Sequence, residues 1–130
     1  MHHVIDEGMR YQSSAEHLSD YEVTEDIKTS RFTFKKGDKI SFMLEQGLHH
    51  NPSQWIRPHE YIPERFDPDD PLYLTPGGIK RNPFSYMPFG EGRRRCLGMN
   101  LGYINMHIFL TYFINLFDVE WTDPDRFAWN

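Results

Sequence analysis

Apolar and polar positions change rhythm along this chain, and each rhythm predicts a different kind of element. Val4 to Tyr11 reads as the end of a helix, broken by the polar run Gln12-Ser13-Ser14. Ser19 to Thr29 carries Asp20, Glu22, Glu25 and Asp26 without an apolar period and reads as loop. Arg31 to Phe34 alternates through Phe32 and Phe34, and Lys39 to Leu44 alternates through Ile40, Phe42 and Leu44. The segment between them, Lys35-Lys36-Gly37-Asp38, has turn chemistry, so the spacing predicts a β-hairpin.

Between Asn51 and Pro88 the prolines Pro52, Pro58, Pro63, Pro68, Pro71, Pro76 and Pro83 forbid a long helix or a central strand. Trp55, Tyr61, Phe66, Tyr73, Phe84 and Tyr86 interleave with them, which marks an ordered, packed meander rather than a polar linker. Leu97 to Phe117 contains no helix breaker apart from Gly98 and Gly102 and is apolar on nearly every face, the pattern of a buried helix. The preceding 96 residues offer too few elements to cover such a helix, so the chain is expected to be incomplete. The fold class that follows is mixed α and β: a short helix, a β-hairpin, a long Pro-rich meander, a cysteine loop and a long buried helix.

With 130 residues, 25% charged and 38% hydrophobic, the composition is that of one globular unit and excludes disorder throughout. No run reaches the length of a membrane span, and the first residues lack a secretory signal pattern. The net charge of -5 argues against general nucleic-acid binding. Its distribution is uneven: from Pro76 to Gly98, Lys80, Arg81, Arg93, Arg94 and Arg95 oppose only Glu91. His2, His3, His49, His50 and His59 lack the spaced pairs of a zinc site and read as surface or loop histidines with no metal assigned.

Cys96 is the one cysteine, which excludes an internal disulfide and a multi-cysteine zinc site. It stands at the mouth of the apolar helix beside Arg93, Arg94 and Arg95, a field that favours the thiolate. Gly92 and Gly98 on either side allow close backbone approach or positive φ, and Phe89 offers a ring to cover one face. The spacing suits a large planar ligand.

The run Phe89-x-x-Gly92-x-Arg94-x-Cys96-x-Gly98 resembles the haem-binding signature of the cytochrome P450 family. Such a pattern would recur by chance in on the order of one in tens of thousands of chains this long, which makes it specific. Glu7-x-x-Arg10 and Pro63-Glu64-Arg65-Phe66 resemble the segments whose Glu-Arg-Arg side chains form a buried structural cluster in that family, and His49-His50-Asn51-Pro52 falls at the expected interval between them. The resemblance extends from Val4 to about Trp121. Departures are the absence of proline after Arg10, Gly102 where alanine is common, and Asn105 where glutamate is frequent.

The resemblance implies that residues 1–130 are the C-terminal part of a P450 domain, predominantly α when whole, with the substrate and oxygen-activating helices upstream. It implies haem b with Cys96 as the axial thiolate, Arg94 pairing with a propionate, and Phe89 beside the sulfur. It further implies a monooxygenase acting on an apolar substrate with electrons from a reductase. Arg93 and Arg95 read either as a solvated basic face or as a docking point for that reductase. Membrane attachment would come only through an N-terminal anchor outside this chain, at the cytoplasmic face of the endoplasmic reticulum for a eukaryotic member. Two alternatives stand beside it: a reductase-independent peroxygenase or isomerase, still within haem-thiolate chemistry, and, of another class, a non-catalytic truncated remnant or interaction fragment. The isolated 130 residues are expected to be inactive and to aggregate or stay molten.

Overall fold

Helix α1 spans His2–Tyr11 and buries Ile5, Glu7 and Arg10, of which Glu7 and Arg10, three residues apart, share one face of the helix. These side chains belong to a computed structural model that describes residues 1–120; the expected limit of the resemblance at Trp121 lies outside the described residues. The helix closes where the Gln12 N–H reaches the Gly8 carbonyl at 3.0 Å. The Ser13 hydroxyl then donates to the Met9 carbonyl at 3.1 Å, taking the place of the next backbone donor. The chain divides into two units at Leu97 and Gly98.

In the first unit, β1 (His17–Glu22) pairs antiparallel with β4 (Lys39–Met43), and β2 (Ile27–Lys28) pairs antiparallel with β3 (Thr33–Phe34). The acidic stretch expected to be loop is therefore partly strand. Its strand character is hidden because Leu18 and Tyr21 lie three apart, out of step with a two-residue alternation. A β-bulge between them restores both to one face, opposite Phe42 and Ile40.

The expected hairpin is also corrected. The turn at Lys35–Asp38 exists, with the Lys35 N–H on the Asp38 carboxylate at 2.7 Å and Gly37 at φ +91. Its flanking strands nevertheless pair elsewhere. Buried Val23 exchanges backbone bonds with Asp38 and Gly37, at 2.9 and 2.8 Å, and draws the turn toward β1. Thr29 accepts the Phe32 N–H at 2.9 Å and closes β2 onto β3 as a separate tight hairpin.

A π-helical turn over Leu44–His49 follows β4, and both of its end residues are fully buried. The Pro-rich meander is a succession of 3₁₀ turns at Pro63–Phe66, Pro71–Tyr73 and Pro83–Ser85, each with proline in its first positions. Asp70 and Asn82 cap two of them by accepting the N–H of Leu72 and Phe84 at 2.7 and 2.9 Å. The fully buried side chains of largest volume are Trp55, Arg10, Arg65, Leu44, His49 and Glu7, so the centre of this unit is largely polar.

In the second unit, α2 runs over Met99–Leu116, starting two residues later than expected. No described residue of it is buried, in contrast to the buried helix expected from its composition, and Met99 and Met106 are only half-buried. An all-round apolar helix becomes buried only through neighbouring elements, which its own sequence does not supply. Along one stripe it covers itself, with Phe109, Phe113 and Phe117 in succession at centroid distances of 5.6 and 5.4 Å.

Leu44 packs at the junction of β4 and the π-helical turn. Leu44→Ala is expected to destabilise the first unit by about 2–5 kcal/mol, read as a lower urea midpoint at unchanged slope.

Candidate functional site

The buried charges are organised by one carboxylate. Arg10 grips Glu7 in a two-point fork, Nε to Oε2 at 2.7 Å and Nη2 to Oε1 at 2.8 Å. Oε1 also accepts from Arg65 Nε at 3.0 Å and from the Ile62 N–H at 2.8 Å. Glu7, Arg10 and Arg65 are all fully buried, so the structure brings together three residues drawn from α1 and the first 3₁₀ turn of the meander.

Backbone carbonyls take up the remaining guanidinium donors. Arg10 Nη1 reaches His49 O at 2.9 Å and Pro58 O at 2.7 Å, while Arg65 Nη1 reaches Ile56 O at 2.6 Å and Nη2 reaches Arg57 O and Glu60 O, both at 3.1 Å. Trp55 lies among them, with the guanidinium carbons of Arg10 and Arg65 at 5.3 and 6.0 Å from its ring centroid.

A third guanidinium joins this assembly and corrects the sequence reading. Arg81, counted there with the basic patch around the cysteine, stacks on Trp55 at 4.2 Å and donates to Leu72 O at 2.9 Å and Arg65 O at 2.6 Å. Burial, followed by the charge of Arg65, lowers its pKa to about 10. It remains charged at neutral pH and, half-buried, borders the charged cluster through Trp55 and the Arg65 carbonyl.

The cysteine loop has its own closure. The Cys96 N–H donates to the Phe89 carbonyl at 2.9 Å, and the Gly90 N–H to the Met87 carbonyl at 3.0 Å. Gly92 adopts φ +76, with open space where a Cβ would point, and Gly90 adopts φ +69 with Leu18 Cδ2 3.5 Å from its would-be Cβ. Sequence reasoning singled out Gly92 and passed over Gly90. Gly98, expected to need similar freedom, caps α2 at an ordinary φ of -85. Cys96 precedes Met99, the first residue of α2, by three positions, so it is not part of the helix's first turn.

Cys96, Arg93, Arg94 and Arg95 are exposed and Phe89 is half-buried. The Arg94 guanidinium lies 5.9 Å from the Tyr21 ring centroid and pairs with no carboxylate among the described residues. Tyr21 in turn lines an open, mainly apolar hollow of about 410 Å³, together with Leu18, Phe42, Phe84, Met87, Glu91 and Gly92. Sheet, meander and cysteine loop thus share one concave surface.

His49 is a further departure: it is fully buried rather than at the surface. Its Nε2 lies 3.1 Å from the Met87 N–H and its Nδ1 2.8 Å from Ser13 Oγ. A backbone N–H can only donate, so Nε2 is the unprotonated acceptor, and the ring proton sits on Nδ1 facing the serine. Burial first, then the charges of Arg10 and His50, lower its pKa to about 4, and the Tyr86 ring packs 5.5 Å away. The signal available in the sequence was position alone.

The family profile described as cytochrome P450 matches residues 1–127. Steroid 17-alpha-hydroxylase/17,20 lyase of Felis catus is 33% identical over 123 residues, covering 94% of this chain and 23% of that protein. Cytochrome P450 82A1 of Pisum sativum is 33% identical over 130 residues, covering 96% and 22%. A solved structure, retinoic acid bound cyanobacterial CYP120A1, superposes with a TM-score of 0.76 at 30% identity, covering 88% of this chain and 25% of that one. The chain thus spans about a quarter or less of the length of these relatives.

Glu7→Gln leaves two buried guanidiniums without their anion. It is expected to cost about 3–5 kcal/mol in urea unfolding, far more than a surface ion pair would.

The depressed pKa of His49 gives a signed pH dependence. Between pH 6.5 and about 4 the unfolded chain binds the proton and the folded one does not, so stability rises with pH across that window and its contribution is lost as pH falls through it. His49→Gln carries no titrating group. The stability advantage of wild type over this variant is expected to shrink by about 3 kcal/mol from pH 6.5 to 4, measured by urea unfolding at stepped pH.

Proposed function

The chain belongs to the cytochrome P450 family, and on that premise we propose that it carries the haem-binding part of a haem-thiolate monooxygenase, with Cys96 as the axial ligand. The observation that carries this proposal is an exposed thiol on a glycine-containing loop closed by its own N–H, beside an apolar hollow that the same loop helps to line.

The donor set fits haem. Among the described residues no group of three or more His, Cys, Asp and Glu side chains could enclose a bare metal ion. A single soft sulfur is what an iron already held by four porphyrin nitrogens requires from the protein. The proposed holders are Cys96 for the iron, Arg94 for a propionate, Phe89 beside the sulfur, and Gly92 and Gly98 for backbone approach. When bound, haem b supplies the one-electron and oxygen chemistry that protein side chains lack.

The remaining roles belong to the chain itself. With haem bound, Cys96 would donate electron density through its sulfur, and the Arg94 guanidinium, which pairs with no carboxylate among the described residues, would supply a fork complementary to a propionate. Leu18, Phe42, Phe84 and Met87 present apolar surface that disfavours water in the hollow. Glu7, Arg10 and Arg65, with Arg81 beside them, act structurally.

The whole protein, on this proposal, inserts one oxygen atom of O2 into an apolar small molecule. Its electrons come from a reductase docking near the exposed Arg93 and Arg95. For a eukaryotic host the proposal extends to the cytoplasmic face of the endoplasmic reticulum.

The test is the ferrous-carbonyl absorption band of the haem-loaded, full-length protein that carries this chain. Wild type is expected to give the long-wavelength band of thiolate ligation, and Cys96→Ser to lose it. A band of the histidine-ligated type in wild type, or an unaltered band in Cys96→Ser, would sink the proposal.

A further inference from the structure

His49 is a buried titratable side chain to which the proposed chemistry assigns no role, and it lies where the charged cluster and the cysteine loop meet. On one side it faces α1: Nδ1–H donates to Ser13, whose hydroxyl donates to Met9 O, and its own carbonyl accepts from Arg10. On the other side Nε2 accepts the Met87 N–H. Met87 O then holds Gly90, and Phe89 O holds Cys96. Hydrogen bonds and short runs of backbone therefore lead from Glu7 and Arg10 through one imidazole to the Cys96 backbone amide.

We infer that His49 is a positioning residue for the Cys96 loop: its neutral ring transfers the fixed placement of α1 to Met87 and sets where the loop begins. The inference deepens the proposed haem-thiolate site and rests on that reading for its functional meaning.

The residue type follows from the geometry. The position needs a rigid group that accepts on one edge and donates on the other, and the neutral imidazole does both within a plane. An apolar substitute would strand the Met87 donor in a half-buried setting. A cationic side chain would add a further positive charge beside Arg10, where the pKa of about 4 already records a penalty. Because Met87 also lines the apolar hollow, displacing its backbone moves a wall of the hollow as well as the origin of the loop.

Amide hydrogen exchange on the full-length, haem-loaded protein reads this link without reference to the identity of the iron ligand. His49→Leu keeps the volume but neither bond. Exchange at the Met87, Gly90 and Cys96 amides is expected to rise about tenfold together, the equivalent of one net hydrogen bond, while the Gln12 amide closing α1 keeps its protection. His49→Gln, whose side-chain oxygen can accept the Met87 N–H, is expected to restore most of the protection. Ser13→Ala keeps the ring and removes its Nδ1 partner. A smaller rise at Met87 is expected there, and this variant decides the matter should the leucine variant fail to fold.

Wild-type exchange at Met87 and Cys96 in His49→Leu, or in Ser13→Ala if only that variant folds, overturns the inference. So does a rise that spreads equally to Gln12, since that is general loosening rather than positioning. The ferrous-carbonyl band separates this from failure of the underlying proposal: in His49→Leu a fraction of the thiolate-type band is expected to be lost and His49→Gln to recover it. A wild-type protein without that band would dismiss Cys96 as ligand while leaving the exchange result to judge His49.

Discussion

One buried carboxylate shared by two guanidiniums is the constraint on which the rest of the first unit depends. Glu7 cannot be placed in the interior alone, and neither can Arg10 or Arg65, because an unpaired charge there carries a heavy desolvation penalty. Each is admitted only if the others arrive in register, and that requirement ties the first helix to a segment more than fifty residues later. Arg81 adds a third cation without a second anion, so the excess is offset by carbonyl dipoles and by the face of Trp55. Such an assembly contributes less to net stability than its short contacts suggest. In the observed packing every buried side-chain donor and acceptor finds a partner among the described residues.

From that core, placement passes outward along hydrogen bonds rather than through a greasy interface. The Pro-rich meander has few long elements of its own. Its turns are held where their carbonyls meet arginine donors, and its tight capping bonds at Asp70 and Asn82 keep intervening segments short. By the time the chain reaches Met87 its course is set by His49, and two positive-φ glycines then bend it so that Cys96 stands exposed. The proposed role of Cys96 as an iron ligand would benefit from this arrangement, because ligand position must hold to a fraction of an ångström.

The apolar hollow and the apolar helix α2 carry a different lesson. Leu18, Tyr21 and Phe42 reach one face of the sheet because of the bulge in β1, so an irregularity in pairing creates the wall that the proposed haem chemistry would use. α2 exposes Leu101, Ile104, Phe109, Tyr112 and Ile114 among the described residues, surface that in a soluble setting demands cover. The chain spans about a quarter or less of the length of its relatives.

Local chemistry was readable from the residues: the helix of Glu7 and Arg10, the proline turns, the Lys35–Asp38 turn, the apolar rod, and the glycine-flanked cysteine with its arginines. Each of these is written in spacing or in a residue with narrow conformational choice, so a short window of sequence suffices. Pairing and burial were not readable. The partner of β4 proved to be β1 because buried Val23 captured the turn, and no window containing only β3 and β4 records that event. His49 reads as a surface or loop histidine and Arg81 as part of the positive charge near the cysteine, and only distant contacts bury the one against Ser13 and Met87 and stack the other on Trp55. A charge becomes structural when its partners surround it, and those partners come from parts of the chain that only folding brings within reach.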